Sequence, residues 1–471
     1  MLFLMVVLGA SGCVRHSMRN AELDDLVVEL EQLIPEQLEG RHVPGAAVAV
    51  LRDGQVVYQR GFGLADEGRP IEPTTGFNVA SISKPVAAWG VMKLVEDGKV
   101  DLDAPFRRYV TRWSLPESAH DADQVTVRRL LSHTAGLSLH GYPGFGPDDR
   151  LPTIEESLSG ATNGSGAVEL VRQPGTEWKY SGGGYTLLQL LIEEVSGQTF
   201  ADFMRETVLR PLGMKGSDYE LTPEILAASA TCFDASGESA PSPRFTAQAA
   251  AGLHATLEDM GRFAVATLSM MEEGPGRTVL SRESLELMLT AASASEGRYG
   301  LGYFLRPLPN GVPAMGHDGA NEGWHSSFLV VPETGDGLVV LTNGDQGRLI
   351  TAEIRCAWMH WLTGLVPTEL PCGIPLPEKR HEIELSDEVL RRYVGVYEVE
   401  AGFQMAIRLE NGLLRAKATD QVEMPIYPES ETEFFVKLFE GEVTFVLDGA
   451  GEVTGLVLRK GEWAGEARKV E

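Results

Sequence analysis

What most constrains the fold is where strand-forming segments fall along the chain. Residues 45–52 and 55–59 are apolar, strand-like runs joined at Asp53-Gly54, a hairpin signal because both residues tolerate a turn's positive φ. Strand character then fades. It returns at 303–305, 327–331 and 337–341, where Phe328-Leu329-Val330-Val331 and Leu338-Val339-Val340-Leu341 flank the turn Pro332-Glu333-Thr334-Gly335-Asp336. The stretch between is mostly helical. A helix after Ser81 carries Val86, Trp89, Val91, Met92 and Leu94 and stops at Asp97-Gly98; another over 185–195 closes at Ser196-Gly197. A leading helix over 23–38 sets Leu23, Leu26, Val27, Leu30 and Leu33 on one side. Strands at both ends of a helical middle predict an α+β domain whose first and last segments share one antiparallel sheet flanked by helices. The long insertion forms a helical subdomain, and the cleft between the two halves is where a site belongs.

The 471 residues suffice for one large domain and one small one. The large one is expected over 22–366. Four prolines between 367 and 377, without periodicity, mark a linker that we extend to 385. Residues 386–471 read as short strands with turns at Asn411-Gly412 and Asp448-Gly449, a small barrel or sandwich. Its Phe434, Phe435, Phe439 and Phe445 read as its own core.

Within a leader over 1–13, residues 2–8 form an apolar run too short to span a membrane, followed by Gly9-Ala10-Ser11-Gly12-Cys13. This is the pattern of a signal peptide whose small residues end in a lipidated cysteine, Cys13. An exported, periplasmic or cell-envelope protein follows, with membrane contact only through that anchor. The formal net charge of −27 repels nucleic acid phosphates and anionic bilayers, which argues against both as partners. Cys232, Cys356 and Cys372 lack metal-ligand spacing, and Cys356 and Cys372 could pair in an oxidising compartment. No nucleotide-binding fingerprint is present, so neither a metal nor a cofactor is expected.

Chemistry concentrates in three short segments. In Ser81-Ile82-Ser83-Lys84 a hydroxyl and an amine sit three residues apart at a helix start, hence on one face, where free N–H groups favour a negative oxygen. Serine needs a base within hydrogen-bond reach, and a desolvated lysine can be neutral enough to serve. Tyr180-Ser181 follows at the edge of a glycine run that leaves the phenol uncrowded. His317-Asp318-Gly319-Ala320 stands just before a strand, with a glycine that lets a substrate backbone come close. Each segment alone is a weak signal.

Together they resemble the penicillin-recognising serine hydrolases: class C β-lactamases, D-alanyl-D-alanine carboxypeptidases, and related esterases and D-aminopeptidases. The resemblance spans roughly 23–365 and includes Leu130-Leu131-Ser132-His133-Thr134-Ala135-Gly136-Leu137, a stretch that is structural in that family, His133 included. It implies Ser81 as the acylated nucleophile. Lys84 and Tyr180 share proton transfer, with Tyr180 preferred as the base on attack. The N–H groups of Ser81 and Ala320 form the oxyanion hole, and His317 orients substrate and the proton network. Gly182 replaces an asparagine that relatives aim at substrate, and Asp318 replaces a residue that greets a substrate carboxylate. Gly182, Asp318 and Gly319 are thus expected to touch substrate, with Asp318 repelling carboxylates. The expected function is an exported serine hydrolase acting through an acyl-serine on esters or on amide or peptide bonds. The alternatives are a β-lactamase or D-alanyl-D-alanine carboxypeptidase, and a covalent sensor with negligible turnover. The oligomeric state is left open.

Overall fold

A computed structural model describes residues 22–234, 237–268, 279–376, 380–400, 403–410, 412–419, 424–436, 441–460 and 463–470. The leader with Cys13, and Phe439 and Asn411, lie outside the described residues. The chain divides into two compact units. The first comprises Met1–Leu38, Val43–Cys232 and Ser239–Ile374; the second comprises Pro375–Glu471 with the short segments Glu39–His42 and Phe233–Glu238.

The first unit is built on a seven-stranded antiparallel sheet, ordered β3-β2-β1-β9-β8-β7-β6. Its strands are β1 (Gly45–Arg52), β2 (Gln55–Asp66), β3 (Arg69–Pro70), β6 (Phe304–Leu305), β7 (Met315–Asn321), β8 (Trp324–Val331) and β9 (Asp336–Thr342). As expected, the first and last segments meet: β1 lies against β9 with Val48 opposite Val340. Both strands are buried along nearly their whole length, so they read as unbroken apolar runs rather than alternating ones. The period-2 pleat still sorts their side chains. Ala47, Ala49, Val339 and Leu341 enter one core, and Ala46, Val48, Leu338 and Val340 the other.

Helix α1 (Leu23–Gly40), through Leu26, Leu30 and Ile34, packs in the second of these cores with α5 (Gly347–Thr363), through Ile350, Ile354 and Trp358. The other core takes in α2 (Ser83–Glu96), α3 (Gly182–Ser196) and α4 (Leu257–Leu268). A two-stranded ribbon, β4 (Gly76–Asn78) with β5 (His254–Thr256), leads the chain into α2.

The segment 317–320, placed by its sequence only just before a strand, itself lies in β7. The strand's sequence, Met315-Gly316-His317-Asp318-Gly319-Ala320-Asn321, is poor in β-formers, yet it pairs with β8 from Met315–Val330 to Asn321–Trp324. The neighbouring strand supplies the partners that local propensity does not.

In the second unit a closed barrel of eight antiparallel strands runs in chain order: β10 (Gly395–Glu400), β11 (Phe403–Glu410), β12 (Leu413–Ala418), β13 (Met424–Pro428), β14 (Glu433–Val436), β15 (Gly441–Leu447), β16 (Val453–Lys460) and β17 (Trp463–Lys469). Tyr397 opposite Lys469 closes it. Its core includes Tyr393, Tyr397, Phe434 and Phe445, with the Tyr393 and Phe445 rings stacked at 4.2 Å. Closure removes the unpaired edges that short strands would otherwise expose.

Candidate active site

Ser81 sits in a single 3₁₀ turn, Ala80–Ile82, immediately before α2. Ala80 holds φ at +48°, a conformation that costs a non-glycine residue free energy and persists only where neighbours enforce it. They are present. The Ala80 N–H donates to Asn78 Oδ1 at 2.9 Å, and that oxygen also accepts from Asn321 Nδ2 at 2.7 Å. The Ser83 hydroxyl donates to Ala80 O at 2.6 Å and accepts from Leu253 N–H at 2.9 Å. The turn presenting Ser81 is therefore tied to β7 and to the segment entering β5.

Lys84, in the first turn of α2, points its amine at Ser81 Oγ, 3.1 Å away, and at the Ala250 carbonyl, 2.7 Å away. The side chain is buried, among the described residues no carboxylate pairs with it, and loss of hydration lowers its pKa to about 7. The Tyr180 phenol interacts with the Ser81 side chain, and its ring lies 4.8 Å from the Lys84 nitrogen. Burial pushes that phenol well above its ordinary range, so at neutral pH Tyr180 is protonated while Lys84 titrates.

His133 fixes Tyr180 from behind. Its carbonyl accepts from Lys179 N–H at 2.8 Å, its Nδ1 accepts from Ser181 N–H at 3.1 Å, and its ring packs 4.2 Å from the Tyr180 ring. Burial holds its pKa well below the usual histidine value, so it stays neutral. The structural role implied for this stretch thus has a specific content: it sets the phenol's position.

His317 lies on β7 and lines the cleft with Ser81 and Tyr180. Nδ1 donates to the Asp318 carbonyl at 2.6 Å, which leaves Nε2 as a bare acceptor, buried and without a hydrogen-bond partner. Burial, with Lys84 nearby, lowers its pKa to about 3.

Three expectations need correction. Asp318 does not present a free negative charge. Its carboxylate pairs with Arg306 at 2.5 Å and Arg355 at 2.7 Å and accepts from the Ser327 hydroxyl at 2.9 Å. The two guanidiniums hold its carboxyl far below the usual range, and the cluster is one positive charge in excess. Repulsion of a substrate carboxylate therefore loses its basis. Gly319 also serves a different need. A Cβ there would stand 2.2 Å from both Val79 O and Ser326 Oγ, so it is the chain's own turn, rather than only a substrate, that requires glycine. Gly182 faces inward: its N–H donates to His140 O at 2.8 Å, and a Cβ would meet that oxygen at 2.9 Å. The glycine run forms the buried first turn of α3, capped by the Ser181 hydroxyl on Gly184 N–H, and does not open space for Tyr180.

The resulting cleft has a volume of about 470 Å³ and is lined by Ser81, Tyr180, His317, Asp318, Gly319 and Ala320. It is also lined by His140, Trp178, Phe304, Arg306 and Arg355, which sequence reasoning missed. None carries a local motif; each arrives by tertiary packing. Cys356 and Cys372 form a disulfide, joining α5 to the segment 365–374 that supplies Glu369, Leu370 and Pro371 to the cleft wall. Among the described residues no group of three or more potential metal ligands occurs, and no helix is long and apolar enough to cross a membrane.

Among known proteins, the chain is 26% identical over 438 residues to "Penicillin-binding protein 4*" of Bacillus subtilis (strain 168), covering 88% of this chain and 93% of that protein. It is 23% identical over 326 residues to "Protein flp" of Staphylococcus aureus (strain N315), covering 68% of this chain and 64% of that one. The fold matches the octameric penicillin-binding protein homologue from Pyrococcus abyssi, with a TM-score of 0.61, 24% identity, and coverage of 93% of this chain and 99% of that one. It also matches SurE solved with D-Leu, with a TM-score of 0.58, 22% identity, and coverage of 95% and 100%. Residues 379–470 match a domain of unknown function, DUF3471. Residues 30–354 match the Beta-lactamase family, and the chain belongs to that family.

Proposed function

We propose that the protein is a serine hydrolase that forms an acyl-serine on Ser81 and acts on esters or on amide or peptide bonds. The observation that carries this reading is the buried Lys84 amine 3.1 Å from Ser81 Oγ, with a pKa lowered to about 7. A half-neutral amine at that distance takes the serine proton as Oγ attacks a carbonyl carbon. We assign the base on attack to Lys84, since Tyr180 starts as a neutral phenol. Tyr180 then gives its proton to the departing oxygen or nitrogen and regains one from the Lys84 ammonium. The N–H groups of Ser81 and Ala320 receive the carbonyl oxygen, and His317 Nε2 offers an acceptor to substrate or to the hydrolytic water.

A second reading, β-lactam or D-alanyl-D-alanine substrates, gains support from the Arg306–Asp318–Arg355 cluster, whose excess positive charge suits a substrate carboxylate. The names of the relatives and a similar structure solved with D-Leu lean the same way. Export, with Cys13 as lipid anchor, is supported by the Cys356–Cys372 disulfide, since such bonds persist in oxidising compartments. An intact mass of the mature chain lacking a lipid on Cys13 would remove the anchor.

The test is turnover of neutral and carboxylate-bearing p-nitrophenyl esters, a chromogenic cephalosporin and D-amino-acid p-nitroanilides, beside Ser81→Ala. We expect turnover that disappears in Ser81→Ala, with an acyl adduct on Ser81 in the burst phase. A stable adduct without turnover means a covalent sensor, and turnover that survives Ser81→Ala overturns the mechanism.

A further inference from the structure

Beside the cleft that holds Ser81 lies a second cavity of about 730 Å³. Arg306, Asp318, Arg355, Glu369 and Leu370 line both and form the partition between them. Beyond the partition the side chains are apolar, Leu308, Met359, Leu365, Val366 and Pro367, with Thr368 the one polar side chain, while the cavity as a whole shows polar and apolar surface in similar measure. Leu365 and Val366 stand 48% and 59% exposed, apolar area that an occupant would remove from water. This wall is fastened. The Cys356–Cys372 disulfide ties it to α5, and the Glu353 carboxylate on the same helix accepts from the N–H groups of Gly373 at 3.0 Å and Ile374 at 2.8 Å.

The partition has donor capacity left over. Arg355, with 9% of its side chain exposed, spends Nη1 on Asp318 and Ser327 while its buried Nε has no partner. Arg306 lies over the Phe304 ring, 4.2 Å from its centroid, with Nη1 on Asp318. An extended molecule reaching from Ser81 into the second cavity meets guanidinium donors first and an apolar wall after them.

We propose that the second cavity is the subsite for the substrate's hydrocarbon tail. On the serine-hydrolase reading above, on which this rests, the substrates are amphiphilic esters or amides. Their hydrogen-bond-accepting middle lies at Arg306 and Arg355, and their apolar end lies against Leu365 and Val366.

The test is two chain-length ladders on the full chain, p-nitrophenyl alkanoates from acetate to decanoate and acetate esters of n-alkanols over the same range. In one ladder kcat/KM should rise about fourfold per methylene once the chain passes the partition. Val366→Asp, at an exposed position, should flatten that rise while Tm stays at the wild-type value. Two flat ladders with Ser81-dependent turnover of the short esters overturn the subsite and leave the hydrolase reading intact. A rise that Val366→Asp does not change puts the tail elsewhere and also overturns it. If no ester is turned over, calorimetry of Ser81→Ala with alkanoates from butyrate to dodecanoate decides. Affinity that grows with length and falls on adding Val366→Asp supports the subsite, and length-independent affinity overturns it.

Discussion

Lys84 is an amine held in an apolar setting three residues after the hydroxyl it faces, and its burial has two measurable consequences. The first is kinetic: kcat/KM should rise as pH passes through about 7, where the amine loses its proton, and then level off. The second is thermodynamic. The unfolded chain keeps the lysine proton up to its ordinary pKa of about 10.5, whereas the folded chain keeps it only below about 7. Between those values the unfolded state holds more protons, so stability rises with pH across that window. Lys84→Met should therefore abolish turnover and yet melt higher than wild type at pH 7, by up to about 4 kcal/mol, with the gap closing toward pH 10. Denaturant melts at pH 7 and 9.5 check it; a Met variant less stable than wild type at both would show that Lys84 is not a strained burial. The Ser81–Lys84 pair was legible in the sequence because a helical turn alone brings such residues together. The Asp318 cluster was not, since Arg306 and Arg355 lie twelve and thirty-seven residues from it and reach it from the segment after β6 and from α5.

Strand β7 and the turn before α2 work as one device. Ala80 adopts its positive φ because Asn78, Ser83 and Asn321 hold it, and β7 comes close enough only because residue 319 has no side chain. Gly319→Ala places a methyl group 2.2 Å from Val79 O and Ser326 Oγ. It should cost about 1–3 kcal/mol of stability and lower kcat/KM by more than tenfold, because relief of the clash moves the Ser81 turn. Thermal melts and ester kinetics on that variant, side by side, give the result, and unchanged kinetics would mean the turn is not under β7's control. The sequence marked Gly319 as special without saying for what. Glycine reports that something comes close, and whether that is substrate or the chain's own carbonyl is a tertiary fact.

The two compact units carry separate cores: a sheet with a layer on each face, and a barrel filled by its own aromatics. Ser81, Lys84, Tyr180 and His317 all belong to the first. A chain ending at residue 385 should therefore still be acylated at Ser81, and calorimetry of the full chain should resolve two transitions, of which the truncated form keeps one. A single transition, with loss of folding on truncation, would make the units one cooperative structure. By itself the sequence determined the α+β order, the shared sheet of first and last strands, the all-β C-terminal region and the Ser81–Lys84 pair. Each follows from residue periodicity or from contacts within one helical turn. Only the tertiary structure decided the charge state around Asp318, the purpose of Gly182 and Gly319, and the presence of a second cavity beside the cleft. These depend on which distant side chains share one volume, and desolvation and close contact act through space rather than along the chain.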